Sequence, residues 1–301
     1  MKDYFKEWHK RHTHILRFVR FVGISLADVL VPVKKVRGSG GEKIVIDPDA
    51  IQVWMIGHAT TLINLYGTTI LTDPVFSKWL PFPRRKVAAG FRVEDLPDID
   101  IIAVSHAHWD HFNIPSIRKL VHKTRTHVIP QNCSDLLSKI PCNEVVEVGW
   151  NERKDIHGVA VYSYKPKHWG TRLPWEKMDR LYHSYVFEKN GVSIFFCGDS
   201  GYCDVFFKEV GEKHEFDVAL LPIGAYNPPS FKHVHMDPED AVQAFRDLKA
   251  KYMIPIHWGT FRLSREPMRE PAERLARIAE VSQLETVCIV PSGERWHMFR
   301  D

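Results

Sequence analysis

Apolar and β-branched residues in this chain fall in short runs separated by polar stretches that carry glycine, proline and asparagine, the pattern of strands joined by turns. The runs predict strands over 52–55, 61–66, 69–72, 99–105, 127–129, 144–148, 159–164, 183–188, 192–197, 218–222, 252–256 and 286–290. Asn190-Gly191 between two of them is the dipeptide of a tight hairpin. A helical period appears at Ala241, Val242, Ala244, Phe245 and Leu248. Asp237 stands before it as an N-cap, with Pro238 at the first helical position and acids in the first turn, so a helix is expected to about Lys249. Further helices are expected over 115–122, 132–139, 205–211 and 270–281. Periodicity alone therefore gives an α+β chain and goes no further.

The polar residues at the ends of these runs carry the chemistry. Ile101-Ile102-Ala103-Val104 is followed by Ser105-His106-Ala107-His108-Trp109-Asp110-His111, which reads H-x-H-x-D-H. Four groups with imidazole nitrogen or carboxylate oxygen then arrive at one sheet edge, a donor set that suits zinc and similar divalent ions. Three more runs end in such a residue: Asp199 in Gly198-Asp199-Ser200-Gly201, His257 before Trp258-Gly259, and His168 in Lys165-Pro166-Lys167-His168-Trp169. Each of these alone reads equally well as a turn former or a strand cap. Four strand ends of one donor type are not explained that way.

These residues resemble the metallo-β-lactamase superfamily, whose order is H-x-H-x-D-H, then His, Asp and His. His106, His108, Asp110, His111, His168, Asp199 and His257 match it one by one. Gly57-His58-Ala59-Thr60, Leu71-Thr72-Asp73-Pro74, Pro222-Ile223-Gly224-Ala225-Tyr226 and His235-Met236-Asp237-Pro238 are similar to the branch that contains the N-acylphosphatidylethanolamine-hydrolysing phospholipase D and its bacterial relatives. The resemblance covers roughly residues 50 to 280 and implies an αββα sandwich, two mixed sheets with helices on the outer faces. It implies two Zn2+ ions per chain, with Mn2+ or Fe2+ as alternatives. His106, His108 and His168 would hold one ion, and Asp110, His111 and His257 the other, with Asp199 bridging. Such a pair can share a hydroxide and clamp the attacking and leaving oxygens of a displacement. The implied reaction is phosphodiester hydrolysis on a phospholipid-like substrate, with Asp110 and His235 as catalytic groups and His233 as a substitute for His235. His58 and Asp73 are candidates for supporting the ligands. Lactone or other carbonyl hydrolysis is the alternative, since the same hydroxide attacks a carbonyl.

Composition narrows the class. With 301 residues, 44% hydrophobic and 26% charged, the chain has ample material for a buried core. A net charge of +4 and the absence of a dense basic stripe speak against nucleic-acid binding. Five scattered cysteines without a C-x-x-C pair point to reduced thiols and a cytoplasmic protein. The first 42 residues stand apart from a catalytic domain at 43–301. Lys2, Lys6, Lys10, Arg11, Arg17 and Arg20 are interleaved there with Leu16, Phe18, Val19, Phe21 and Val22, and Arg37 to Glu42 read as a linker. That apolar stretch is too short and too charged to span a bilayer. Residues 1–36 are expected to make peripheral contact with the inner membrane surface; packing on the domain or a homodimer contact is the competing reading. Arg84-Arg85-Lys86, among Trp79, Leu80, Phe82 and Pro83, is expected to be either a solvated charge run or a lipid-facing loop.

Overall fold

The computed structural model describes residues 44–299 apart from 82, 174–175 and 177–178. The amphipathic segment at 1–42 and its boundary therefore lie outside the described residues. The first sheet contains β1 (Ala50–Gly57), β2 (Thr60–Leu65), β3 (Thr68–Thr72), β4 (Ile99–Ala103), β5 (Thr124–Pro130), β6 (Glu144–Val148) and β13 (Arg295–Phe299), in the order β13-β1-β2-β3-β4-β5-β6. The second contains β7 (Arg153–Ile156), β8 (Val159–Tyr164), β9 (Ser184–Lys189), β10 (Val192–Phe196), β11 (Val218–Pro222) and β12 (Tyr252–Ile256), in the order β12-β11-β10-β9-β8-β7. Both sheets are mixed: β3 to β6 pair in parallel, as do β10, β11 and β12, and the other pairings are antiparallel.

Period-two alternation sorts the side chains into three layers. Ile51, Val53, Ile63, Ile70, Ile101 and Val128 face Val161, Phe187, Ile194, Phe196, Leu220 and Ile254 across the sheet-to-sheet seam. The opposite faces of the same strands pack outward. Trp54, Leu62, Leu71 and Ile102 meet Ile117 and Leu120 of α1 (Ile114–Leu120). Phe195, Ala219 and Leu221 meet Phe207 of α2 (Asp204–Lys213), Ala241, Phe245 and Leu248 of α3 (Pro238–Leu248) and Leu275 of α4 (Glu270–Val281). Central strands are thus buried on both faces, which is why they read as near-continuous apolar runs. The architecture is the expected αββα sandwich. Asp237 caps α3 as expected, its side chain accepting from Asp240 N at 3.0 Å.

Three expectations need correction. Residues 132–139 form only a 3-10 turn, Ser134–Leu137. The Glu147 carboxylate accepts the Cys133 and Ser134 N–H groups at 2.9 and 2.7 Å, and Pro141 keeps Ile140 out of helical backbone. Residues 286–290 make no strand; a single bridge joins Val287 to Met253, and Pro291 then follows. The strands β7 and β13 were not expected. Both are edge strands: β7 exposes Arg153, Lys154 and Asp155, and β13 alternates exposed Arg295 and His297 with half-buried Trp296 and Met298, so neither shows an apolar run.

Candidate metal centre

The parallel strands of both sheets deliver their C-terminal ends to one edge, and the ligand-type residues leave the strands there. Asp73 follows β3 in left-handed backbone, φ 35°. Its buried carboxylate accepts Ser105 N–H at 2.7 Å, Ser105 Oγ–H at 2.6 Å and His111 Nδ1–H at 2.6 Å. Because the Ser105 hydroxyl donates to Asp73, it is free to accept His106 Nδ1–H at 2.9 Å. One carboxylate thereby sets the tautomer of two imidazoles, leaving the Nε2 lone pairs of His106 and His111 turned inward. His168 reaches the same state by another route, its Nδ1–H donating to Val234 O at 3.0 Å. His58 and His257 also sit in left-handed backbone, φ 63° and 61°. The His257 peptide N–H donates to His58 O at 3.0 Å, and His58 Nε2 meets Asp110 Oδ2 at 3.0 Å.

Two clusters of donor atoms result. His106 Nε2, His108 Nδ1 and His168 Nε2 converge, with 2.8 Å between the first two and 3.3 Å between the last two. His111 Nε2 and His257 Nε2 each lie 3.6 Å from Asp110 Oδ2. Asp199 stands between them: its carboxylate is 3.3 Å from His111 and 3.2 Å from His257 on one side, 3.9 Å from His106 and 3.8 Å from His168 on the other. All seven expected residues and His235 are brought together. His235 Nδ1 lies 3.6 Å from Asp199 Oδ2. His233 is exposed at the surface.

The charge states divide the same way. Burial, reinforced by neighbouring imidazoles, pushes His106 well below the ordinary histidine value; burial likewise lowers His168, and brings His108 and His235 down to about 4. These rings are neutral, the form that binds metal. Burial opposes charge on His111 and His257 too, but Asp199 and the other carboxylates outweigh it, raising His111 well above its ordinary value and His257 to about 9. Those two protons offset the charges of Asp110 and Asp199. The nitrogens and oxygen nearest the centre, His111 Nε2, His257 Nε2 and Asp199 Oδ1, are buried without a hydrogen-bond partner among the described residues. Buried polar atoms left so are uncommon. Divalent cations fit here: imidazole and carboxylate donors face inward, and a dication in place of protons on His111 and His257 would satisfy these three atoms.

The Arg84-Arg85-Lys86 run needs correction. Arg85 is 2% exposed; its guanidinium donates to Val75 O and to Ser77 O and lies over Phe261 at 4.8 Å. Phe261 in turn packs edge-on against His58, with ring centroids 5.2 Å apart. Lys86 is buried as well. The run therefore roots the loop onto the site rather than forming a solvated patch, and Arg84 alone of the three stacks on the exposed Trp79. Ser105 had no assigned role from sequence; its only signal is its place directly before His106.

A family model described as Beta-lactamase superfamily domain matches residues 68–258. An uncharacterized protein of Mycobacterium tuberculosis strain H37Rv is 33% identical, over 83% of this chain and 69% of its own length. The N-acyl-phosphatidylethanolamine-hydrolyzing phospholipase D 1 of Caenorhabditis elegans is 30% identical, over 76% of this chain and 69% of its own length. Among solved structures, Igni18, a metallo hydrolase from Ignicoccus hospitalis, superposes with a TM-score of 0.64 at 20% identity, over 84% of this chain and 100% of that one, which is a likeness of fold.

Proposed function

The chain belongs to the beta-lactamase superfamily domain family and is a metal-dependent hydrolase of that fold; from that premise we propose that it is a phosphodiesterase of the phospholipase D type, acting on N-acylphosphatidylethanolamine-like phospholipids. The observation that carries the reading is the two-sided donor set around Asp199, with His235 beside it. His106, His108 and His168 would hold one divalent ion, zinc by donor chemistry, and Asp110, His111 and His257 a second, with Asp199 shared. Such ions supply Lewis-acid neutralisation of the phosphate and lower the pKa of water toward 7. The similarity to the Caenorhabditis elegans phospholipase supports the substrate class.

The chain's own groups account for the proton movements. Water adds to phosphorus and loses a proton; the P–O bond to the head-group alcohol breaks, and that oxygen gains one. Asp110 Oδ2, held by His58 Nε2 at 3.0 Å, is placed to take the first proton. His235, neutral and 3.6 Å from Asp199, would donate a hydrogen bond to the phosphate through its ring N–H, and the proton that Asp110 takes from water would pass to the departing oxygen. Peripheral contact with a membrane through residues 1–36 belongs to the same proposal. Trp79, 54% exposed with the Arg84 guanidinium 5.0 Å over its ring, offers a further surface of that chemistry. No helix among the described residues is long and apolar enough to cross a membrane.

The test is a panel of a soluble phosphodiester, N-acylphosphatidylethanolamine vesicles and a lactone, with zinc-loaded protein and its Asp199→Ala variant. Both phosphodiesters should be turned over, and only by the parent protein. Faster lactone turnover would overturn the reading. Deleting residues 1–36 should reduce turnover on anionic vesicles and spare the soluble substrate.

A further inference from the structure

The loop that carries His108, Asp110 and His111 is closed internally by one carbonyl. His108 O accepts His111 N–H at 3.1 Å and Phe112 N–H at 2.8 Å. The carbonyls of buried Ala107 and Phe112 flank that turn, and both receive the same donor: Arg172 Nη1, at 3.1 and 2.9 Å. The Arg172 guanidinium also lies 3.7 Å from the ring centre of Trp109, in the middle of the loop. Arg172 is 8% exposed, and burial lowers its pKa only to about 10, so it is charged at neutral pH. Its Nη1 amino group alone spends both of its hydrogens on two backbone oxygens five residues apart.

Arg172 comes from a strap after β8 that also provides His168. The strap is fixed independently of the loop. Glu176 accepts the Arg172 and Leu173 N–H groups at 2.8 and 3.2 Å, and Arg180 pairs with Asp135 at 2.6 Å and donates to Asn132 O at 2.8 Å. Trp169 packs on His108 and His168, with ring centroids 4.7 and 4.4 Å away. The loop and the strap, which between them supply donor atoms to both clusters, are therefore joined through Arg172 as well as through Trp169.

We propose that Arg172 is a positioning residue which, by bridging the Ala107 and Phe112 carbonyls and stacking on Trp109, holds His108, Asp110 and His111 in metal-binding geometry against the His168 strap. The inference rests on the reading of these residues as ligands, and its chemistry follows from a guanidinium that bonds two carbonyls while its plane stacks on Trp109. A lysine keeps the charge and a donor nitrogen but has no planar group to stack on Trp109 while that nitrogen bonds the carbonyls. A methionine keeps the stem and loses every donor. Groups that orient ligands without touching the ion typically account for about 10–100-fold in metal affinity.

The experiment is zinc titration of Arg172→Met, Arg172→Lys and the parent protein against a chromogenic chelator, well below the melting temperature, with melting temperatures recorded in excess chelator. Arg172→Met should bind zinc roughly 10–100-fold more weakly, Arg172→Lys should fall between, and saturating zinc should restore most of kcat. A purely structural arginine would lower the chelated melting temperature and leave affinity within about twofold of the parent; that result in both variants overturns the inference. Arg172→Lys gives the same readout if the methionine variant does not fold. A parent protein that binds no zinc defeats the ligand reading itself, which is a different result from unchanged affinity in the variants.

Discussion

Replacing Asp73 by asparagine changes one heavy atom, an oxygen for an NH2 group, and should disable the centre through a tautomer. The carboxylate accepts three hydrogen bonds: Ser105 N–H on Oδ1, and Ser105 Oγ–H and His111 Nδ1–H on Oδ2. Asparagine has one acceptor oxygen and an amide that donates. The Ser105 peptide N–H cannot become an acceptor, so the asparagine oxygen must take the Oδ1 place and its NH2 the Oδ2 place. The Ser105 hydroxyl can rotate to accept. His111 can accept only by moving its proton to Nε2, the nitrogen that faces Asp199 and Asp110. A ring protonated at Nε2 has no lone pair for metal there. Backbone is no obstacle, since asparagine tolerates the left-handed φ of 35°. Charge-assisted hydrogen bonds contribute about 1 kcal/mol more than neutral ones, so three of them predict a loss of roughly 2–3 kcal/mol. At this chain length that is a fall in melting temperature of about 3–5 °C. Metal affinity should fall about 10–100-fold. Differential scanning calorimetry, chelator competition and 15N NMR of the His111 ring measure the three quantities. An Asp73→Asn protein that keeps Nδ1–H on His111, or binds zinc as tightly as the parent, refutes the reasoning.

Other perturbations have equally definite outcomes. Gly224→Ala puts a Cβ 2.2 Å from His257 O; the shift it forces should cost about 1–3 kcal/mol and weaken metal binding, read by calorimetry and chelator competition. Tyr185→Phe deletes the buried hydroxyl that donates to Val104 O at 2.9 Å across the seam between the sheets; the urea midpoint should fall by an amount worth about 1–3 kcal/mol with m unchanged. Burial would raise the Asp100 carboxyl, but hydrogen bonds from Thr69 and Arg125 outweigh it and hold its pKa below the ordinary value. Its contribution is therefore complete above the unfolded value of about 4 and is lost as pH falls through the lower folded value. Asp100→Asn should flatten the acid limb of a stability-against-pH curve below about pH 4 and leave the limb near pH 7 parallel to the parent's.

The strands that build the seam were legible in the sequence because both of their faces are buried, and so were the residues at their ends. What escaped was whatever owed its state to distant partners. Residues 153–155 are charged and 295–299 alternate Trp296 and Met298 with exposed Arg295 and His297, so neither shows an apolar run, and each is a strand by virtue of its neighbour. Helical propensity at 132–139 lost to a glutamate on β6. Arg85 and Arg172 look in sequence like any surface arginine; Arg85 is buried against carbonyls of its own loop, at Val75 and Ser77, and Arg172 against carbonyls at Ala107 and Phe112, far back along the chain. The seven motif residues were visible as a spacing, whereas the left-handed backbone that aims His58, Asp73 and His257 has no signature in their identities.

The pairing of β1 with β13 sets an order of events during synthesis. Trp54 is opposite Arg295 in the register, so β1 waits for roughly 240 further residues before its outer edge is covered. At ribosomal rates of about 5–20 residues per second, that wait is on the order of 12–50 seconds. All seven candidate ligands have been made by His257, well before β13 exists. The nascent chain can therefore assemble its ion-binding cluster while one flank of the first sheet still offers open N–H and C=O groups to other chains. An ion captured at that point would hold the two sheets against each other through the interval when the exposed flank is most prone to pairing with the wrong strand.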